Sequence, residues 1–141
     1  MSETSAYTTT ASQWTFLSQL HNLEPRTKVR FLCCVQDYDE DTALLTVEHK
    51  YPPGVRSRYC EALVDVRLVL ETVERAVLQK GAWVNVVGYV LFVERRDHKA
   101  KAAIRVPMVQ ALLVWDAGAV RVDQYEQVVR GHLAMMQASR S

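Results

Sequence analysis

A long apolar segment in the middle of the chain, Gly81 to Glu94, constrains the fold most. It is rich in Val, Tyr, Phe and Trp, the residues that favour β-strands. Apolar side chains alternate onto both faces, which predicts a strand that is covered on much of both sides. Gly88 interrupts the segment at a point where a long strand must bend or bulge. A long, bent strand is typical of a small closed barrel.

Length and composition restrict the class of protein. The chain has 141 residues, the size of one domain, and a hydrophobic fraction of 49% is enough to build a core. The net charge of +1 lacks the basic excess that nucleic-acid-binding domains usually carry. We therefore expect any contact with nucleic acid to come from a local patch or from a partner.

The termini and the cysteines bear on the cellular compartment. The first six residues have no basic or apolar region, so a signal peptide is not expected. No apolar run reaches the ~18 residues of a membrane span, so no membrane contact is expected. Among three cysteines there is no Cys-x-x-Cys spacing, and Cys33 and Cys34 should point to opposite faces of a strand. These features favour a reduced compartment, cytoplasm or nucleus, and predict no metal site and no cofactor.

The domain prediction places a flexible segment at residues 1–11 and one domain at residues 12–138. A short helix is predicted to begin at Ser12 and to run to about His21. We expect this helix to cover an open end of the barrel, with Trp14 or Phe16 inserted.

Five strands and two further helices account for the rest of the chain. Strands are predicted at about 28–37, 42–49, 60–68, 81–94 and 102–115, and helices at about 70–80 and 121–138. The alternation in the last strand slips near Pro107, which predicts a bulge there. The side chains expected to point inward from the first three strands are Val29, Phe31, Cys33, Val35, Ala43, Leu45, Val47, Ala62, Val64, Val66 and Leu68.

The order of these elements predicts a mainly β fold. Three strands, a helix and two more strands are the order of the five-stranded Greek-key barrel called the OB-fold. The predicted architecture is that barrel with an N-terminal helix, a helix between strands three and four, and a C-terminal helix.

The C-terminal helix, about 121–138, is the first candidate site. Its apolar residues form a stripe about 100° wide on a helical wheel. The stripe fits a helix that folds back onto its own barrel, and it also fits a helix that binds a partner, where aromatic and Met anchors are common. The candidate partner-binding residues are Val122, Tyr125, Val128, Val129, His132, Leu133 and Met136, with Met135 beside them.

Two basic loops are the nucleic-acid candidates. OB-folds bind single strands with a basic groove and stacking aromatic residues, although exposed loops are often charged for solubility alone. The candidate residues are Arg56, Arg58, Arg95, Arg96, Lys99, Lys101 and Tyr51, with Tyr38 and Tyr59 as further stacking residues. Four acids at 37–41 would repel phosphate, so we expect weak, salt-sensitive binding by this chain alone.

No catalytic constellation is recognised. The alternating acids at 37–41 lack the glycine and distal Glu of a calcium loop. His49 follows an apolar strand and is interpreted as a packed or turn histidine. The other histidines lie on separate elements, and no Ser-His-Asp motif or phosphate loop appears. The chain is therefore predicted not to be an enzyme.

Several segments together resemble a known family. The chain is similar to the fungal form of the smallest subunit of the telomere-capping CST complex, called Ten-one. The resemblance covers about residues 14 to 136, with Arg26 and Cys33 at places where glycine is expected. The matching segments are Phe16-Leu17-Ser18-x-Leu20, Pro25-x-Thr27-Lys28-Val29-Arg30-Phe31-Leu32, Leu45-x-Val47-x-His49-x-Tyr51-Pro52, Val64-Asp65-Val66, Trp83-Val84-Asn85-Val86-x-Gly88-Tyr89-Val90, Val109-Gln110-Ala111 and Tyr125-Glu126.

The resemblance implies an OB-fold similar to the smallest subunit of replication protein A. It implies a heterodimer with a larger OB-fold subunit, largely through the C-terminal helix. It also implies protection of single-stranded telomeric DNA, a link to lagging-strand fill-in, and a nuclear, telomeric location. The alternatives are an autonomous single-strand-binding module and the small subunit of a complex similar to replication protein A.

Overall fold

Strands dominate the described part of the chain, residues 11–97, 99 and 101–140, in a computed structural model. The strands are β1 (Gln13–Trp14), β2 (Lys28–Asp39), β3 (Leu44–Glu48), β4 (Glu61–Asp65), β5 (Trp83–Asp97) and β6 (Ala102–Asp116). The helix α1 spans Val122–Arg140, and short 3₁₀ helices lie at Leu17–Asn22, Ser57–Cys60, Arg67–Val69 and Arg75–Leu78. Residues 1–10, most of the predicted flexible segment, lie outside the described residues.

The strands form one sheet that closes into a barrel. The order is β1-β2-β3-β4-β6-β5, and β5 also pairs with β2, which closes the barrel. The pairing of β4 with β6 is parallel and places Leu63 opposite Met108. The prediction of an OB-fold is confirmed, with the two-residue β1 as an additional strand.

The predicted inward residues of the first three strands are buried, with one exception. Leu68 is 63% exposed, because β4 ends at Asp65 and the chain turns away from the sheet. One oxygen of the Asp65 carboxylate accepts a hydrogen bond from the backbone N–H of Arg67 at 3.0 Å. A carboxylate that binds the backbone two residues on forms a turn that competes with a strand. The prediction of a strand to residue 68 is therefore wrong.

Gly88 does lie at an irregularity, as predicted. The register between β5 and β6 shifts between Val87 and Gly88, so that Leu112 has no partner. A Cβ atom at Gly88 would meet the backbone of Gln110. The bulge predicted at Pro107 is wrong, because this residue pairs regularly with Phe92.

The predicted helix at 70–80 is replaced by turns. The chain forms 3₁₀ helices at Arg67–Val69 and Arg75–Leu78, and it buries only Val69 and Val77 in this region. An isolated helix of this length is marginal without a face to pack, and these two side chains suffice to reach the core. The helix prediction is therefore wrong, although the segment does join the third and fourth barrel strands.

The N-terminal helix also differs from its prediction. Gln13–Trp14 forms the parallel strand β1 beside Val29 and Arg30, and a 3₁₀ helix follows at Leu17–Asn22. Ser12 therefore does not begin a helix. The expected insertion is found for Phe16, which is buried.

Candidate partner interface and nucleic-acid contacts

The helix α1 is seated on the barrel by two of its predicted partner-binding residues. Val129 is 2% exposed, and the ring of Tyr125 lies 6.0 Å from the ring of Trp14 in β1. The guanidinium of Arg30 lies 4.2 Å from the Trp14 ring on the same side of the barrel. Burial raises the pKa of Tyr125 to about 12. These residues fix the helix to its own domain.

A side-chain hydrogen bond adds a polar contact to this packing. Nε2 of His49 lies 2.7 Å from a carboxylate oxygen of Glu126 in α1. His49 is 3% exposed and lies between the rings of Phe16, Tyr51 and Trp83. The interpretation of His49 as a packed histidine is confirmed. Sequence reasoning missed its partner, because a pair separated by 77 residues leaves no local pattern.

A second apolar surface of α1 remains exposed. Val128 is 71% exposed, Met135 is 72% exposed and Met136 is 44% exposed, and His132 is exposed between them. We call these four residues the outer stripe. Positions 128, 132 and 135 follow helical spacing, so they lie on one face of α1, beside the face that packs on the barrel.

The two remaining predicted residues of the helix lie at its border with the barrel. Val122 and Leu133 are half-buried. Leu133 and Met136 also line a groove of about 480 Å³ between the second half of α1 and the segment that carries Trp14 and Leu23. The predicted set of seven residues is therefore divided between a seat on the barrel, a groove and the outer stripe.

The predicted nucleic-acid residues are spread over two loops. Arg56 and Arg58 are exposed around the 3₁₀ helix between β3 and β4. Arg95 and Arg96 are exposed near the end of β5, and Lys99 and Lys101 are exposed in the turn that leads to β6. The structure does not gather all six cations in one place.

Tyr51, predicted to stack on a base, packs against the N-terminal segment of its own domain. Its ring is half-buried, with its centroid 4.7 Å from that of Phe16, and its carbonyl oxygen accepts a hydrogen bond from the Ser18 hydroxyl at 2.7 Å. The peptide bond from Tyr51 to Pro52 is cis. These contacts tie the β3–β4 loop to the N-terminal 3₁₀ helix.

The acids predicted in a turn at 37–41 lie at the end of β2, which runs to Asp39, and at the start of the loop that follows it. Asp37, Asp39, Glu40 and Asp41 are exposed, and the backbone N–H of Asp41 donates to the Asp39 carboxylate at 2.9 Å. Four exposed carboxylates disfavour phosphate at this end of the barrel.

The cysteines and the acidic side chains form no chemical site in the described part of the chain. Among the described residues, no group of three His, Cys, Asp or Glu side chains is placed to hold a metal ion. Burial raises the pKa of the Cys33 thiol and also that of the less buried Cys34 thiol. Both thiols therefore stay protonated. No helix of the described residues is long and apolar enough to cross a membrane.

Comparisons with known proteins assign the family. The model of the Ten1 family, described as a telomere-capping subunit of the CST complex, matches residues 1–130. The chain belongs to this family. No curated protein sequence matches the chain.

Solved structures agree on the fold of this Ten1 family member. A chain in the crystal structure of the S. pombe Stn1–Ten1 complex superposes with a TM-score of 0.64 at 24% identity, and the match covers 89% of this chain and 95% of that one. The crystal structure of telomere capping protein Ten1 from S. pombe gives a TM-score of 0.63 at 24% identity, covering 88% and 99%. At this identity the similarity establishes the barrel.

Proposed function

We propose that this protein is a non-catalytic subunit of a telomere-capping CST complex, in the nucleus at chromosome ends. In this role it forms a heterodimer with a larger OB-fold subunit and supports the protection and replication of single-stranded telomeric DNA. The family assignment supports the capping role, and a similar chain is part of the Stn1–Ten1 complex.

The outer stripe of α1 is the observation that carries the heterodimer. Val129 and Tyr125 already seat the helix on its barrel, so Val128 and Met135 are not needed for that contact. Exposed apolar side chains that lie together on a helix mark interaction surfaces, and Met is enriched at protein interfaces. We therefore assign the partner contact mainly to the outer stripe, extended by Leu133 and Val122 at its border.

An autonomous single-strand-binding module is the second candidate function. The net charge of +1 and the four exposed acids at 37–41 argue against tight binding by this chain alone. The basic loops remain as places for a weak contact, which the larger subunit would strengthen in the heterodimer.

The test is co-expression with the larger subunit, followed by measurement of the mass of the complex. In the double variant Val128→Glu with Met135→Glu, we expect a folded monomer and a heterodimer weaker by roughly thirtyfold or more, since two buried anchors of roughly 1–2 kcal/mol each together contribute about 2–4 kcal/mol. The matched control is Leu68→Glu with Leu113→Glu, two apolar residues that are 63% and 58% exposed and do not belong to α1. Normal assembly of the outer-stripe variant, or equal loss in the control, would refute the assignment.

A further inference from the structure

A second cleft lies where the β3–β4 loop meets the base of the β5–β6 hairpin. Its volume is about 380 Å³. Side chains that carry rings or positive charge line it from three elements: His21 from the N-terminal 3₁₀ helix, Arg58 and Tyr59 from the β3–β4 loop, and Phe92 and Arg105 from the hairpin. We call this the arginine–aromatic cleft.

Each arginine of the cleft lies over an aromatic ring. Cζ of Arg105 is 3.5 Å from the centroid of Phe92, and Cζ of Arg58 is 4.7 Å from that of Tyr59. The guanidinium of Arg58 also donates a hydrogen bond to the Tyr59 hydroxyl. The ring of His21 stacks on Tyr59 with centroids 4.1 Å apart and planes 19° apart. The rings and cations are therefore held in place before any ligand arrives.

The charges of the cleft are not neutralised by described residues. Neither Arg58 nor Arg105 forms an ion pair within the part of the chain that the structure describes. Glu94 is the residue paired with Arg105 in the hairpin, and it is exposed. The hydrogen bond from Arg58, together with the positive charges of Arg58 and Arg56, lowers the pKa of the half-buried Tyr59. Among the described residues that line the cleft, Arg58 and Arg105 are positively charged and none is acidic, so the lining carries a net positive charge.

We propose that the arginine–aromatic cleft binds one or two nucleotides of a single-stranded nucleic acid. Aromatic rings and guanidinium planes both stack on bases, and the same guanidinium groups pair with phosphate. A nucleotide joins an anionic phosphate to a planar base in every residue, so it uses both the charges and the rings, whereas the Asp and Glu side chains of an acidic peptide use only the charges. This inference deepens the proposed function, because it locates a strand contact on this subunit, and it names Phe92 and Arg105, which the sequence did not indicate.

The test uses the full chain and a fluorescent oligo(dT) strand, with anisotropy measured over a series of salt concentrations. The variant Arg58→Ala with Arg105→Ala should bind more weakly and should reduce the slope of log K against log[salt] by about 1.4, since each single-strand phosphate contact contributes about 0.7. The matched control is Arg75→Ala with Arg121→Ala, which removes two exposed charges elsewhere and should leave the slope unchanged.

A second variant separates stacking from charge. Tyr59→Leu with Phe92→Leu keeps apolar side chains and both arginines, and it should weaken binding about tenfold for each base that stacks on a ring. Circular dichroism checks that this variant is folded. If it is not, the arginine variant still tests the proposal, because Arg58 and Arg105 are exposed and their replacement leaves the core intact.

The proposal is overturned if the full chain does not bind at low salt, if the arginine variant binds as well as the wild type, or if the control variant loses as much binding. A competition experiment adds a fourth such outcome: displacement of labelled oligo(dT) by polyglutamate at a lower concentration than by unlabelled oligo(dT). The last result would assign the cleft to an acidic peptide. Heterodimer assembly is measured in parallel on every variant. Assembly that persists while strand binding fails refutes the cleft and leaves the proposed subunit role intact.

Discussion

The contact between Glu126 and His49 gives a sharp test of how α1 is held on the barrel. Replacing Glu126 by Ala leaves Nε2 of His49 buried and without its partner, and Nδ1 of the same ring already has no hydrogen-bond partner among the described residues. Leaving a buried polar group unpaired costs about 1–3 kcal/mol. The total stability of a domain is only about 5–15 kcal/mol, so the loss is measurable.

The expected change follows from these values. Glu126→Ala should lower the free energy of unfolding in urea by about 1–3 kcal/mol, which corresponds to a fall of roughly 3–12 °C in Tm for a chain of this size. Glu126→Gln retains an oxygen that can accept a hydrogen bond from His49, so its loss should be smaller. The matched control is Gln127→Ala at the next, exposed position, which should change stability by less than about 0.5 kcal/mol.

A local measurement shows where the loss occurs. Hydrogen exchange of the α1 amides should accelerate in Glu126→Ala more than exchange in β2 or β5, because the contact joins the helix to the barrel. Tryptophan fluorescence should also respond, since Trp14 lies beside Tyr125 of the helix. If Glu126→Ala and Gln127→Ala lower stability equally, or if exchange in the helix is unchanged, His49 does not hold α1 in place.

Three further predictions concern the barrel and its titrating groups. Gly88→Ala places a Cβ against the backbone of Gln110, and urea unfolding should show a loss of about 1–3 kcal/mol or more; wild-type stability would contradict the close approach. Because the pKa of Tyr125 is raised to about 12, above its value of about 10 in the unfolded chain, the unfolded state loses its proton first. Stability should then fall between about pH 10 and 12 by at most about 1.4 kcal/mol per pH unit, and Tyr125→Phe should remove that dependence. Burial opposes ionisation of Asp65, but hydrogen bonds from Arg67 lower its pKa below the usual value; its stabilising contribution is present at neutral pH and lost as the pH falls, and Arg67→Ala should reduce this acid dependence in urea titrations.

Much of the barrel could be predicted because a strand's pattern is local. Val29, Phe31 and Val35 share one face of β2, and their burial follows from the pleat. Gly88 was recognised as irregular because glycine in a long strand indicates a bulge or a close backbone approach. The error at Pro107 arose because apolar residues on both faces of β6 hide the phase, so the unpaired residue, Leu112, could be located only from the register with β5.

Helical spacing of apolar residues predicted structure less well where the packing of the barrel decides the local conformation. The periodic apolar residues from Leu70 to Val77 predicted a helix, yet the chain there forms turns and leaves Leu70 exposed. Packing decides whether a short marginal helix forms. In α1 the prediction of a helix was confirmed, but the wheel could not show which apolar residues the barrel would cover.

The kind of fold, the order of the strands and the amphipathic last helix follow from the amino-acid sequence, because each depends on neighbours a few residues apart. The three-dimensional arrangement was needed to show that Tyr125 and Val129 pack against the barrel, that Val128 and Met135 stay exposed, and that Arg58 and Arg105 each lie over a ring. The contact of Glu126 with His49 is also visible only in the folded chain. Such contacts join residues that are far apart in the chain, so no local pattern records them, and closure of the barrel brings them together.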